Sequence, residues 1–73
     1  MMVVVVDAEA LFQDEDTTKG KTYQLRIHNG KEGIVSVFWD GDEGGIINAA
    51  YKNENEFKKE WRVGNEKTVP VSD

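Results

Sequence analysis

Tyr23-Gln24-Leu25-Arg26-Ile27-His28-Asn29-Gly30 is the stretch that decides the fold. Tyr23, Leu25 and Ile27 are apolar, and Gln24, Arg26 and His28 between and after them are polar. This strict period of two places the apolar set on one face of a strand and the polar set on the other. Asn29-Gly30 follows, and both residues tolerate the positive φ that a tight hairpin requires. Gly33 extends the turn beyond two residues. Ile34-Val35-Ser36-Val37-Phe38-Trp39 then predicts a second, nearly continuous apolar strand. An antiparallel hairpin is therefore the expected nucleus.

Upstream, Met1-Met2-Val3-Val4-Val5-Val6 is a β-branched run that predicts a buried strand. Asp7 and Glu9 follow at once, and no Lys or Arg precedes it, so the run has neither the length of a membrane span nor the form of a secretion signal. Ala8 to Phe12 suits either a continuing strand or one helical turn. Gln13-Asp14-Glu15-Asp16-Thr17-Thr18-Lys19-Gly20 predicts an exposed loop, because three consecutive acids and two threonines suit neither strand nor helix.

Downstream, Asp40-Gly41-Asp42-Glu43-Gly44-Gly45 predicts a second turn. Ile46 to Tyr51 is apolar enough to pair back as a strand. Asn53 is a good N-cap, with Glu56 at capping-box spacing. Glu54 and Glu56 favour a helix start, and Lys58, Lys59 and Arg62 favour a helix end. The spacing predicts a short helix at about 54–62, with Phe57 and Trp61 on one face and Gly64 as its terminating residue. Val69-Pro70-Val71 fits an edge strand or a frayed tail. The expected fold is α+β: a small antiparallel sheet of three to five strands with that helix packed on one face. One domain covers residues 1–73.

The chain has 73 residues, with 14 acidic and 9 basic side chains and a formal charge of −5. A nonspecific nucleic-acid binder draws most of its affinity from Lys and Arg, so the acidic balance disfavours direct nucleic-acid binding and attraction to anionic lipid. There is no cysteine, which excludes disulfides, thiolate metal sites and cysteine nucleophiles. A small domain without disulfides is expected in the cytoplasm, and no cofactor is expected.

His28 is the sole histidine and stands at a strand end, where an exposed turn residue is the simpler reading than a general base. Neither Ser36 nor Ser72 lies in a nucleophile elbow. No phosphate-binding glycine motif is present, and Asp40, Asp42 and Glu43 would repel a phosphate from Gly41, Gly44 and Gly45. Asp40 through Tyr51 resembles a degraded EF-hand loop. Asp40 and Asp42 match its first and third positions, Gly45 its turn glycine, Ile47 its apolar position and Asn48 its ninth. That resemblance implies weak calcium binding, with Gly44 and Tyr51 standing where oxygen ligands belong. The order of Lys21-Thr22-Tyr23, a strand ending in Trp39, a glycine-rich turn and a helix bearing Phe57 is similar to the WGR domain, which implies nucleic-acid contact. Here Trp39 is followed by Asp40-Gly41 rather than by Gly-Arg.

The favoured function is a non-catalytic, acidic protein-interaction module, an inhibitor or adaptor that binds a basic surface on a partner protein. In size and composition the chain resembles small proteins of phages and mobile elements that bind host enzymes. The expected contact residues are Asp14, Glu15, Asp16, Trp39, Asp40, Asp42 and Glu43. Phe38 and Trp39 are adjacent, so on a strand they point to opposite faces; the one away from the helix either packs under the N-terminal segment or serves as an aromatic anchor for a partner. The alternatives are a nucleic-acid-binding module using Lys58, Lys59 and Arg62, an acidic mimic of DNA, or calcium binding by the Asp40–Gly45 turn.

Overall fold

The computed structural model describes residues 2–29 and 33–70. Five strands and one helix follow in the order β1 (Met2–Ala10), β2 (Thr22–Asn29), β3 (Val35–Asp40), β4 (Ile46–Tyr51), α1 (Glu54–Glu60) and β5 (Trp61–Pro70). They form one antiparallel sheet ordered β4-β3-β2-β1-β5 with the helix packed against it, an α+β fold. The first four strands are a meander. The chain then crosses through α1 and adds β5 to the free side of β1, where it pairs antiparallel.

The expected alternation sets the core. Val6, Ala8 and Ala10 of β1, Tyr23 and Leu25 of β2, and Val35, Val37 and Trp39 of β3 are buried together with Tyr51, Phe57 and Trp61. Their positions match in register: Val6 faces Leu25, Ala8 faces Tyr23, and Ala10 faces Trp61. Ile27 faces Val37 in the next ladder. The apolar N-terminal run is thus a central strand, bonded on both sides, and the strand continues to Ala10 before Phe12 turns inward.

The two edge strands would stand about 19 Å apart in a flat five-stranded sheet. Yet the Trp61 indole N–H at the start of β5 donates to the Tyr51 hydroxyl at the end of β4, at 3.1 Å. Side chains from the two opposite edges thus meet over the core at this point. Phe57, the one buried residue of α1, stacks edge-on against Tyr51 at 5.7 Å and fills the gap.

Asn53 caps the helix as expected, its side chain accepting from the Glu56 N–H at 2.9 Å. The end differs. Trp61 is extended, with φ −136 and ψ 133; its N–H closes the helix on the Phe57 carbonyl, and the same residue begins β5. The Leu11 N–H donates to the Glu60 carbonyl at 2.9 Å, so the neighbouring loop satisfies a terminal helix group that a glycine cap would otherwise serve. Gly64 is not a helix terminator. It lies in β5 opposite Asp7, where the ladder slips between the pairs Val6–Glu66 and Ala8–Val63, and a Cβ there would stand 3.2 Å from the Asp7 carbonyl oxygen. β5 runs through Pro70 as a strand; Gly30 and Val71, named in the expected turn and tail, lie outside the described residues.

Candidate interaction surface

The expected contact residues separate into three environments. Trp39 is 2% exposed and belongs to the core. Its alternation with Val35 and Val37 turns it inward, so it is unavailable as a surface anchor. Its indole stacks edge-on with Trp61 at 4.9 Å and Phe12 at 6.4 Å. Phe38 is the outward member of the pair, half-buried on the outer sheet face against His28, with ring centroids 5.4 Å apart. His28 faces Ser36 across the β2–β3 ladder on the same face. Asp40 also points to that face, 3.7 Å from Arg26.

Asp42 has a different role. Its carboxylate accepts from Lys21 Nζ at 2.7 Å, from the Tyr23 hydroxyl at 2.8 Å and from Thr18 Oγ1 at 2.6 Å. The Tyr23 hydroxyl accepts in turn from the Thr18 N–H at 2.7 Å. Hydrogen bonds from Lys21, Thr18 and Tyr23 hold the Asp42 carboxyl well below its usual range, at about 2, and the same contact raises the Lys21 ammonium. The Asp42 N–H donates to the Asp16 carbonyl at 2.8 Å. The turn is closed by the Gly41 N–H to Gly45 carbonyl bond at 2.8 Å and by Gly44, whose φ of +93 and N–H to Gly41 carbonyl bond make it the bulge residue. Gly41 lies so close to the long loop that a Cβ would meet Asp16 Cβ at 3.1 Å.

The 11–21 loop is therefore welded to the β3–β4 turn. Thr17, fully buried, completes the weld: its hydroxyl accepts from the Trp39 indole N–H at 3.1 Å. The expectation of an exposed loop holds for Asp14 and Glu15 but fails at Thr17. Asp16 is half-buried by the same contact. Asp14 folds its carboxylate back onto the Asp16 N–H at 2.9 Å. The two acidic segments thus lie side by side at one end of the molecule, with Asp14, Glu15 and Glu43 exposed. Lys21 neutralises Asp42 and leaves those three as the outward charge. Nothing in residue type distinguishes Asp42 or Thr17 from their neighbours; a threonine with a long-range role in an acidic loop carries no local signal.

The other candidate chemistries find little support in the geometry. Asp40 and Asp42 diverge, one toward Arg26 and one toward Lys21, so they do not converge on a calcium site. The segment resembling an EF-hand loop is a β-hairpin. Among the described residues no group of three His, Cys, Asp or Glu side chains is placed to hold a metal ion. Lys58 pairs with Glu54 at 3.4 Å, Lys59 with Glu56 at 3.2 Å, and Arg62 lies 3.8 Å from Glu9. The basic residues of the helical segment are thus matched by carboxylates rather than gathered for phosphate. A cleft of about 350 Å³ beside α1 is lined by Val4, Ile27 and Val35 of the sheet and by Glu54, Phe57 and Lys58 of the helix. No described helix is long and apolar enough to cross a membrane. No protein-family model, no curated protein and no solved structure matches the chain.

Proposed function

We propose that the protein is a non-catalytic interaction module, an inhibitor or adaptor in the cytoplasm that occupies a basic surface of a partner protein with its acidic end. The observation that carries this reading is the Asp42 N–H to Asp16 carbonyl bond, which joins two acidic segments far apart in sequence. Exposed carboxylates held on a rigid frame give a fixed field and need little ordering on binding. Asp42, and not the whole Asp40–Glu43 turn, supplies the frame, while Asp14, Glu15 and Glu43 supply the charge.

The likeness in size and composition to phage and mobile-element proteins fits an inhibitor of a host enzyme. If that enzyme handles DNA, the same end acts as a mimic of its phosphates, which is the second form of the reading. The test is affinity capture from lysate of the source cell with the wild-type chain and with a variant carrying Asp14→Asn, Glu15→Gln and Glu43→Gln. A basic partner captured by the first and lost by the second supports the reading. Equal capture by both removes it. Displacement of the partner by duplex DNA distinguishes the mimic from a module with another target.

A further inference from the structure

The two edges of the sheet are not alike. β5 carries Arg62 near its start, a bulge at Gly64 and a proline at its end. These are the devices by which sheets discourage pairing at an edge. β4, Ile46-Ile47-Asn48-Ala49-Ala50-Tyr51, has no charge, no proline and no bulge. Ile46 is 70% exposed, and Asn48 and Ala50 are exposed beside it.

The ladder fixes which backbone groups of β4 are open. Gly41 and Gly45 form the hydrogen-bonded pair that closes the turn. In an antiparallel ladder such pairs alternate with non-bonded ones. Ile47, Ala49 and Tyr51, opposite Trp39, Val37 and Val35, therefore bond to β3. Ile46, Asn48 and Ala50 direct their N–H and C=O groups to the open edge. Among the described residues no loop backbone group bonds to them.

We infer that this edge pairs with the β4 edge of a second copy of the chain, antiparallel, about a two-fold axis through Asn48. In that register Asn48 faces Asn48, and Ile46 faces Ala50 on the outer sheet face. These are the residues whose backbone groups are open, so the donors and acceptors match without a shift. Ile47 faces Ala49 on the inner face. The ends also match in charge. Glu43 lies just before the strand and Lys52 just after it, both exposed and without an ion-pair partner among the described residues. Antiparallel pairing brings Lys52 of each copy opposite Gly44 of the other, next to Glu43. A parallel arrangement would align like charges instead. The self-complementary register and the paired opposite charges favour a second copy over an unrelated peptide strand.

The test is a charge swap on the axis, read by sedimentation equilibrium of the full chain. Wild type should show a reversible dimer. Asn48→Asp and Asn48→Lys each place two like charges face to face, and each should raise the dissociation constant roughly five-fold or more. An equimolar mixture of the two variants should recover a heterodimer. Asn48→Pro removes an N–H that points away from β3 and should yield a folded monomer, verified by an unchanged near-ultraviolet dichroism spectrum. A wild-type chain that remains monomeric across the concentration range overturns the inference. So does a dimer indifferent to both charge variants. Dimers weakened by each variant but not recovered on mixing place Asn48 off the axis and overturn the proposed pairing.

Discussion

Asp42 shows how one side chain fixes the geometry of its surroundings. It receives an ammonium and two hydroxyls on one carboxylate, and its charged form is favoured by all three. The sign of the pH effect follows. Its folded value of about 2 lies below the ordinary 3.8, so its contribution is complete above the ordinary value and is lost as pH falls through the folded one. Thermal melts between pH 4 and 2 should show a falling midpoint for wild type. Asp42→Asn should start lower at neutral pH and fall less over that window. Parallel curves for the two proteins would show that the acid transition belongs to other carboxylates. Trp61 is the second decisive residue. It is 1% exposed and stacks edge-on with Trp39, Phe12 and Tyr23. Trp61→Ala should cost about 3–5 kcal/mol in chemical denaturation, as large core truncations do. An unchanged midpoint would contradict its place in the core.

The elements show where sequence logic reaches and where it stops. The β2 alternation and the Asn53 cap are local signals, and both elements formed where expected. The position of Trp61 in the core was also legible, but its element was not. An i,i+4 partner of Phe57 and the first residue of a strand both turn their rings to the same core, and the choice between them is made by pairing with Ala10. Phe38 and Trp39 were separable only once the phase of β3 was known, since a nearly all-apolar strand hides its own alternation. Thr17 was illegible for a deeper reason. Its role depends on the Trp39 indole, 22 residues away. That bond also predicts the strength of the loop attachment. Among the described residues no buried side-chain polar atom lacks a partner, and Thr17→Val would create one by stranding the indole N–H. A loss of about 1–3 kcal/mol is expected. Thr17→Ser should keep most of the stability, because the hydroxyl acceptor remains. A Thr17→Val chain as stable as wild type, with Thr17→Ser destabilised instead, would assign the effect to the methyl group rather than to the hydroxyl.

For the whole molecule, the electrostatic field decides how a partner arrives. A charge of −5 on so small a body gives a sizeable negative potential, and the strongest part of it should sit where carboxylates are least matched by cations. The ion pairs distribute the rest. Arg26, Lys58, Lys59 and Arg62 each stand by a carboxylate, and Lys21 stands by Asp42. Asp14, Glu15 and Glu43 have no ion-pair partner among the described residues. Steering depends on these exposed charges, whereas the lifetime of a complex depends on its packed contacts. Neutralising the three together, with Asp42 left intact to hold the frame, should therefore preserve the melting midpoint and slow association. At low ionic strength the on-rate toward a basic partner should fall roughly three- to ten-fold. The defect should shrink as salt rises, because screening at 0.1 M already reduces the reach of exposed charges to about 10 Å. The off-rate should change less than the on-rate. Stopped-flow association at two salt concentrations separates these quantities. An on-rate equal to wild type at low salt would assign recognition to another surface, with half-buried Phe38 and its neighbour His28 on the outer sheet face as the next region to mutate.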